Sequence, residues 1–345
     1  MKLSMPLSYA GGFEESARQV AELEKAGLDT VWVAEAYGYD GPSLMGYLAA
    51  KTEKVNIGAA ILNIYSRTPA LLAMTAAGID ALSNGRCVFG LGASGPQVIE
   101  GFHGVPYDRP LARTREVIEI CRKVWAREAP LTHEGKVFTI PLPPDQGTGL
   151  GKPLKIIGHP VRSSIPIWIA SLGEKNVEMT AEIADGWLPI FFVPEKFREV
   201  FGPSLDAGAA KRDAKLGPLQ IAAGGIFAIG DESEVAGIRN LGRAGAALYI
   251  GGMGAKGKNF YNDLTRRYGY EKEAAEIQDL YLSGEKEKAA ALVPDDLLEA
   301  TSLCGPEGYI KDRLAAFKEA GITHLNVNPV GMDPVAMIEK LSSWL

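Results

Sequence analysis

The sequence predicts an α/β protein folded as a (β/α)8 barrel, also called a TIM barrel. The main reason is a recurring pattern: a helical stretch, then a glycine, then an apolar β-type run. The pattern appears from one end of the chain to the other, and its four glycines are Gly27, Gly85, Gly186 and Gly321. The apolar runs are nearly continuous, as in strands buried on both faces of a parallel sheet. Parallel β/α units therefore span the chain.

Eight strands are predicted, at residues 2–8, 29–35, 55–62, 86–92, 165–171, 186–191, 219–229 and 322–328. Since the first and last lie at the chain ends, we expect closure into a barrel rather than an open sheet. Two stretches exceed a simple repeat. Residues 129–164 contain a candidate hairpin at LTHEGKVFTI, and residues 231–304 are predicted to form extra helices. Neither has the marks of an independent domain, so residues 1–345 are predicted to form one domain.

Composition and charge exclude several classes of protein. The 345 residues are 46% hydrophobic and 23% charged, as in a folded α/β protein with a large core. The formal charge of -6 has both signs interspersed without a basic stripe, which argues against a nucleic-acid partner. Charges interrupt every apolar run before the roughly 18 residues of a membrane helix. The start, MKLSMPLSYAGG, has too short an apolar stretch for a signal peptide. We expect neither a membrane span nor export by that route.

The cysteines and histidines predict no metal site. Cys87, Cys121 and Cys304 lie in three separate segments without C-x-x-C spacing, and their odd number fits a reducing cytoplasm. His103 in GFHG and His159 in GHP fall in predicted loops, with no carboxylate or cysteine at ligand spacing. We therefore expect a cytoplasmic protein with both of these histidines at the surface.

The stretch GLGASGP, at residues 90–96, contains the G-x-G-x-x-G spacing of a dinucleotide-binding turn. That fingerprint requires an acid about 20 residues on, at the end of the next strand. Here Glu116 and Glu119 occupy the window within a helical stretch, TREVIEICRKVW. A Rossmann site is therefore not expected. The glycines are expected instead to let the chain turn from the fourth strand into the following helix. Because that turn lies on the face where barrel active sites are built, its N–H groups remain candidates for a different phosphate.

Five segments resemble one family in their order and spacing: VWVAEAYG, IGAAILNIYSRTPALLAMTAAGIDALSNGR, GLGASGPQVIEGFHG, IASLGEKNVEMTAEIADGW and LYIGGMGAKGKNFY. They are similar to the bacterial luciferase-like superfamily, in particular its deazaflavin-dependent branch around methylenetetrahydromethanopterin reductase. The resemblance spans nearly the whole chain. It implies a (β/α)8 barrel that binds coenzyme F420, or FMN in other branches, with the ring at the carboxyl ends of the strands.

The resemblance also implies a set of site residues. Glu35, after the second strand, takes the position of an acid with a catalytic and cofactor-binding role. The other cofactor-binding positions that it implies are Ala60, Ile61, Asn63, Ser94, Gly95, Gln97, Ser171, Leu172 and Gly173. The last three precede a helix, whose free N–H groups and positive dipole end suit a phosphate. Relatives hold a non-prolyl cis peptide behind the ring, and by position it is the Ala60–Ile61 bond here.

Structural roles compete with some of these assignments. Ser171 also fits the N-cap of the following helix, and a cap alone requires no ligand. Glu35 could be an ordinary solvated carboxylate, although burial makes an unpaired acid at a strand end costly. Arg67 is expected only to fasten the barrel rim. Four aromatic residues are candidates for the pocket or for core packing: Tyr9, Tyr37, Tyr39 and Phe191.

We therefore predict a coenzyme F420-dependent oxidoreductase that moves a hydride between the deazaflavin and a small organic substrate. Two alternatives stay open: an FMN-dependent luciferase-like monooxygenase, and a carrier or sensor that binds cofactor without turnover. Many relatives carry Asp-His after the second strand, where this chain has Glu35-Ala36. Sugar-phosphate dehydrogenases of the family place a glutamate where Pro96 and Gln97 stand, so glucose 6-phosphate is not expected. Family habit implies a homodimer or higher homo-oligomer.

Overall fold

A computed structural model describes residues 1–8 and 11–345. Its strands are β1 (Lys2–Pro6), β2 (Leu28–Val33), β3 (Asn56–Ala59), β4 (Leu62–Asn63), β5 (Cys87–Gly92), β6 (His133–Glu134), β7 (Thr139–Ile140), β8 (Ile167–Ile169), β9 (Gly186–Trp187), β10 (Gln220–Ile229), β11 (Leu303–Gly305) and β12 (His324–Pro329). Its helices are α1 (Phe13–Leu23), α2 (Gly41–Lys51), α3 (Pro69–Leu82), α4 (Pro96–Gly101), α5 (Pro110–Ala126), α6 (Glu174–Ile183), α7 (Phe197–Ala209), α8 (Glu232–Asn240), α9 (Gly242–Ala247), α10 (Phe260–Arg267), α11 (Glu271–Leu282), α12 (Lys286–Ala291), α13 (Asp295–Ala300), α14 (Glu307–Glu319) and α15 (Pro334–Ser342).

Eight strands close into a parallel barrel, in the order β1, β2, β3, β5, β8, β9, β10, β12 and back to β1. This confirms the predicted (β/α)8 barrel and all eight predicted strands. Two of those strands are shorter than predicted, since β8 keeps three residues and β9 only two. The third is divided into β3 and β4, and β4 pairs with β5.

Two tryptophans and the glycines opposite them fill part of the barrel interior. The rings of Trp32 and Trp168 lie 5.2 Å apart between centroids, and both residues are buried. A Cβ added to Gly58 would lie 2.2 Å from the Trp32 ring, and one added to Gly186 would lie 2.0 Å from the Trp168 ring. Since overlap at those distances is impossible, the large rings require glycine on the neighbouring strands.

The first excursion forms the predicted hairpin, because β6 and β7 pair antiparallel. The Glu116 carboxylate of α5 holds the hairpin turn by accepting hydrogen bonds from the N–H groups of Lys136, Val137 and Phe138 at 2.7 to 3.1 Å. Burial raises the pKa of Glu116, but these hydrogen bonds outweigh it and hold the pKa below its ordinary value. Glu116, which lies where a dinucleotide fingerprint would require an acid, therefore has a structural role in holding the hairpin.

The end of the same excursion is tied to the barrel by an ion pair. Arg162 donates from Nε to both carboxylate oxygens of the fully buried Asp80, and from Nη2 to the Cys87 carbonyl. Asp80 also accepts from the Cys87 N–H at 3.2 Å. This arrangement satisfies a carboxylate on α3 that burial would otherwise make costly.

The second excursion consists of α8 to α13, which confirms the extra helices predicted over residues 231–304. It ends in β11, a strand that the sequence did not predict. Because β11 has only three residues and pairs only with the last residues of β10, its local pattern is too short to distinguish from a loop. Among the described residues, no helix has the length and apolarity needed to cross a bilayer.

The packing of Gly58 against Trp32 predicts that one methyl group added at Gly58 lowers the stability of the fold. Gly58→Ala places Cβ against the Trp32 ring, so we expect a loss of roughly 1 to 3 kcal/mol in the free energy of unfolding. Gly237→Ala is the matched control, because Gly237 is exposed within α8 and an added Cβ meets no atom within 4 Å. The control should gain up to about 1 kcal/mol. Urea unfolding measures both, and equal changes in the two variants would contradict this packing.

Candidate functional site

The residues predicted to bind cofactor follow the carboxyl ends of β2, β4, β5 and β8, on the face where barrel enzymes carry their active sites. Neighbouring strand ends are in direct contact there. The Ala170 N–H, one residue before Ser171, donates to Leu91 in β5 at 3.0 Å. A Cβ on Gly92 would lie 3.0 Å from the Ile61 side chain and 3.6 Å from Ala170. The segments around residues 60–63, 92 and 170 therefore form one continuous rim.

The third barrel strand is interrupted between Ala59 and Leu62, and the Ala60–Ile61 peptide bond is cis, as predicted. Backbone hydrogen bonds from the second strand hold both sides of this interruption. The Ala60 N–H donates to Val33 O at 2.7 Å, and the Glu35 N–H donates to Ile61 O at 3.3 Å. Ile61 is half-buried and lies over Gly92. The bulge therefore presents an apolar, branched side chain at the barrel mouth.

Glu35 is bound by Arg67. Its two carboxylate oxygens accept from the two terminal nitrogens of Arg67 at 2.6 and 2.7 Å, and Oε2 also accepts from Gly41 N, at the start of α2. The two side chains are only 8% and 15% exposed, for Glu35 and Arg67 respectively. The hydrogen bond to Glu35 raises the pKa of Arg67 further, against the opposing effect of burial. The pair ties the loop after β2 to the loop after β4. A contact between Glu35 and cofactor stays a prediction.

Asn63, at the end of β4, shapes the loop that carries Arg67. Its Oδ1 accepts from the N–H groups of Tyr65 at 3.0 Å and Ser66 at 2.7 Å. Its Nδ2 lies 3.4 Å from His103 Nε2. His103 is half-buried at the barrel mouth, while His159 is exposed as expected. A single-sequence pattern does not show which side chain a loop histidine meets.

The turn after β5 contains a residue in the left-handed region of backbone conformation. Ser94 has a positive φ of 56°, and its carbonyl accepts from Tyr107 Oη at 3.3 Å. Gly95 is the N-cap of α4, and both Ser94 and Gln97 are exposed. Their side chains face open space at the rim, and their contact with a cofactor stays a prediction.

Ser171 is not the N-cap of α6. The cap is Gly173, which has no side chain to bond the first-turn N–H groups. The Ser171 hydroxyl is buried and lies 2.8 Å from Thr180 Oγ1, while its carbonyl accepts from Trp187 Nε1. Leu172 is half-buried. The helix therefore begins two residues later than a serine cap requires, and its first N–H groups stay available for an external acceptor.

Phe102 is an aromatic residue at the rim that the sequence did not predict. Phe102 is 64% exposed, and its ring lies 6.3 Å from Tyr37, which is 62% exposed, and 5.3 Å from the His103 ring. The available signal was the position of GFHG, directly after the turn that follows a barrel strand.

The other aromatic candidates have different surroundings. Tyr39 packs on Phe13, and Phe191 packs on Tyr249 and Tyr261. Tyr9 lies outside the described residues. The buried phenol of Tyr65 donates to Asp108 O, and burial raises its pKa to about 12. Tyr65 is therefore a structural donor at neutral pH.

A cavity of about 560 Å³ lies between α5, the β6–β7 hairpin and α6. Its charged lining is largely paired, through Arg115 with Glu182 and Lys211 with Glu178. We assign the functional site to the barrel mouth instead, because strand ends, exposed aromatic rings and free helix N–H groups meet there. Among residues 1–8 and 11–345, no three His, Cys, Asp or Glu side chains group as a candidate metal site.

Comparison with known proteins agrees with the barrel fold. The sequence matches the model of the luciferase-like monooxygenase family over residues 2–324. A Mycobacterium tuberculosis protein provisionally named a coenzyme F420-dependent oxidoreductase is 41% identical, over 99% of each chain. The 5,10-methylenetetrahydromethanopterin reductase of Archaeoglobus fulgidus is 27% identical, over 92% of this chain and 90% of its own.

A solved structure shows the same fold. The coenzyme F420-dependent tetrahydromethanopterin reductase of Methanopyrus kandleri superposes with a TM-score of 0.78 at 24% identity, covering 100% of this chain and 98% of that one. Together, the family match over residues 2–324 and the relative at 41% identity confirm the resemblance drawn from the sequence. The chain belongs to the luciferase-like monooxygenase family.

Proposed function

We propose that this protein is a coenzyme F420-dependent oxidoreductase that transfers a hydride between the deazaflavin and a small organic substrate. The observation that carries the proposal is the bulge at Ala60–Ile61, which presents Ile61 at the mouth of the barrel. The relatives named for F420-dependent chemistry support the same cofactor. The family description, luciferase-like monooxygenase, keeps an FMN enzyme as the second candidate.

The residues at the rim fit the parts of a deazaflavin cofactor. Ala60 and Ile61 offer an apolar surface for one face of the ring, and Asn63 ends the short strand beside them. The uncapped start of α6, after Ser171–Leu172–Gly173, suits the phosphate. Arg267 Nη2 lies 3.9 Å from the carboxylate of Glu174, the first residue of that helix, and offsets its negative charge. When bound, the deazaflavin supplies two-electron hydride transfer, because it has carbon where a flavin has its central reactive nitrogen.

The protein's own contribution is orientation and exclusion of water. The bulge fixes the ring face, while the Glu35–Arg67 pair holds the two loops beside it. Tyr37 and Phe102 stand exposed at the rim, where a ring-bearing or apolar substrate would cover them. A small substrate and self-association stay predictions.

Cofactor binding tests the proposal directly. Purified protein is titrated with oxidised F420 and, separately, with FMN, and fluorescence and ultrafiltration report each affinity. We expect F420 to bind more tightly than FMN. Clear micromolar FMN binding with none for F420 would favour the monooxygenase. F420 binding with no oxidation of the reduced cofactor across enones, imines and ketones would favour a carrier or sensor.

The buried Glu35–Arg67 pair predicts that removing the charge of Glu35 alone lowers both stability and cofactor affinity. Glu35→Gln leaves Arg67 without its counter-ion, so we expect a loss of roughly 1 to 3 kcal/mol in stability and weaker F420 binding. The matched control is Glu15→Gln, because Glu15 also forms a bidentate pair with an arginine, Arg18, but on an exposed helix face. The control should change neither quantity measurably. Unaltered affinity and turnover in Glu35→Gln would leave the pair without a role in the site.

The phosphate site proposed at the start of α6 predicts that a blocking side chain weakens the binding of F420 but not of its phosphate-free form. Gly173→Val places a side chain near Phe260 and over the first N–H groups, so it should weaken F420 binding but spare the phosphate-free deazaflavin nucleoside. Ser171→Ala removes the bond to Thr180 and should cost about 1 kcal/mol of stability. Isothermal titration with both ligands measures the difference. Equal losses for the two ligands in Gly173→Val would place the phosphate elsewhere.

A further inference from the structure

We propose that His103 exchanges the proton that accompanies hydride transfer, and that His103 Nε2 and Asn63 Nδ2 together bind the substrate heteroatom that gains it. The substrate is then a ketone or aldehyde in the direction of reduction, or the matching alcohol in the reverse direction. This inference rests on the proposed function and names a catalytic residue for it.

His103 is the histidine of this chain that stands at the barrel mouth. The chain has four histidines. His133 lies in the β6–β7 hairpin against Glu116, His159 is in the exposed segment that follows, and His324 begins β12, at the opposite end of the barrel. His103 follows α4, where its N–H donates to Val98 O at 3.2 Å. Its ring reaches back to Asn63, two residues beyond the bulge.

The orientation of Asn63 determines how the His103 ring is protonated. Because Asn63 Oδ1 already accepts two backbone N–H groups, Nδ2 is the atom that faces His103. A neutral imidazole must then present Nε2 as the acceptor and carry its proton on Nδ1. The separation of 3.4 Å is long for a hydrogen bond, so this contact is weak and readily gives way to a better partner.

A substrate oxygen is such a partner. An alcohol oxygen accepts from Asn63 Nδ2 and donates its proton to His103 Nε2. A carbonyl oxygen accepts from Nδ2–H and from the Nε2–H of the imidazolium. The donor and the proton carrier thus converge on a single atom, as transition-state stabilisation of developing negative charge requires.

The other titratable groups on the surrounding elements have partners of their own. Glu35 is bound by Arg67 and Gly41 N, and Tyr107 Oη donates to Ser94 O. Further charged and phenolic groups are occupied in the same way: Tyr65 on Asp108 O, Asp108 with Arg109 and Arg113, and Glu100 on Tyr107 N. Tyr37 stands exposed beside Phe102. Among the described residues of this rim, His103 is therefore the group suited to exchange a proton with the substrate, since an imidazole ring can both accept and donate one.

The step balances with the proposed cofactor. In reduction, the substrate carbon of C=O would accept a hydride, with both electrons, from the reduced deazaflavin, which would become oxidised. The substrate oxygen takes the proton from Nε2 of the His103 imidazolium, and the N–H bond of the ring breaks. The neutral ring regains a proton from water. Oxidation of an alcohol reverses each transfer.

Single-turnover kinetics test the inference. Enzyme with reduced F420 is mixed with acetone, cyclohexanone or butanal, from about pH 5 to about pH 9. We expect His103→Gln to slow hydride transfer about 100-fold or more while F420 affinity stays unchanged. The wild-type rate should depend on pH, and the variant should lose this dependence. His159→Gln, at the exposed histidine, is the control and should match the wild type. An unchanged rate and pH profile in His103→Gln would overturn the inference.

A second measurement needs no turnover. Long-range ¹H–¹⁵N NMR of the wild-type protein at high pH reports which ring nitrogen of His103 carries the proton. Protonated Nδ1 with bare Nε2 is expected, and protonated Nε2 would overturn the inference even if His103→Gln fails to fold. If the wild type binds F420 but reduces none of the three probes, the proposed function itself fails.

Discussion

The site depends on two backbone hydrogen bonds that the second barrel strand and its following loop make across the break in the third. Ala60 donates to Val33 O, and Glu35 donates to Ile61 O. These bonds hold the chain on both sides of the bulge, so that Ile61 turns toward the mouth and β4 resumes beside β5. Since Gly92 has no side chain, Ile61 can lie against the end of β5. The position of Ile61 is thus determined by its neighbours in the barrel.

The loops around the bulge are tied to it by side chains from the same segments. Glu35 bonds Ile61 through its backbone and Arg67 through its carboxylate, while Asn63 bonds the two residues before Arg67. The rim is therefore one connected network. Its apolar and aromatic groups face outward, and its charges are mostly paired within the network. A redox cofactor that brings its own chemistry requires such a scaffold of fixed position.

The fold was predictable because its signals are local and repeated. The glycine between each helix and strand, and the continuous apolar runs, predict β/α units without knowledge of contacts. β11 was not predicted, because three residues are too few to show a periodicity and the strand depends on pairing with the end of β10. Family resemblance, rather than periodicity, predicted the cis bond at Ala60–Ile61, since small and aliphatic residues fit a regular strand equally well.

The site was predictable only in outline. The positions after the strands follow from the barrel, but the partners of each side chain do not. Ser171 looked like a cap because it precedes a helix, yet its hydroxyl reaches Thr180 nine positions on and Gly173 takes the cap. The contact between His103 and Asn63 was not predicted, because the two residues lie 40 positions apart in the sequence. Such contacts depend on how loops meet in the folded barrel.

The most direct test of the central claim is a crystal structure of the protein with bound F420. The account predicts one face of the deazaflavin ring against Ala60 and Ile61, with the phosphate at the first turn of α6. A ring bound away from the bulge, or a phosphate far from Gly173, would contradict it.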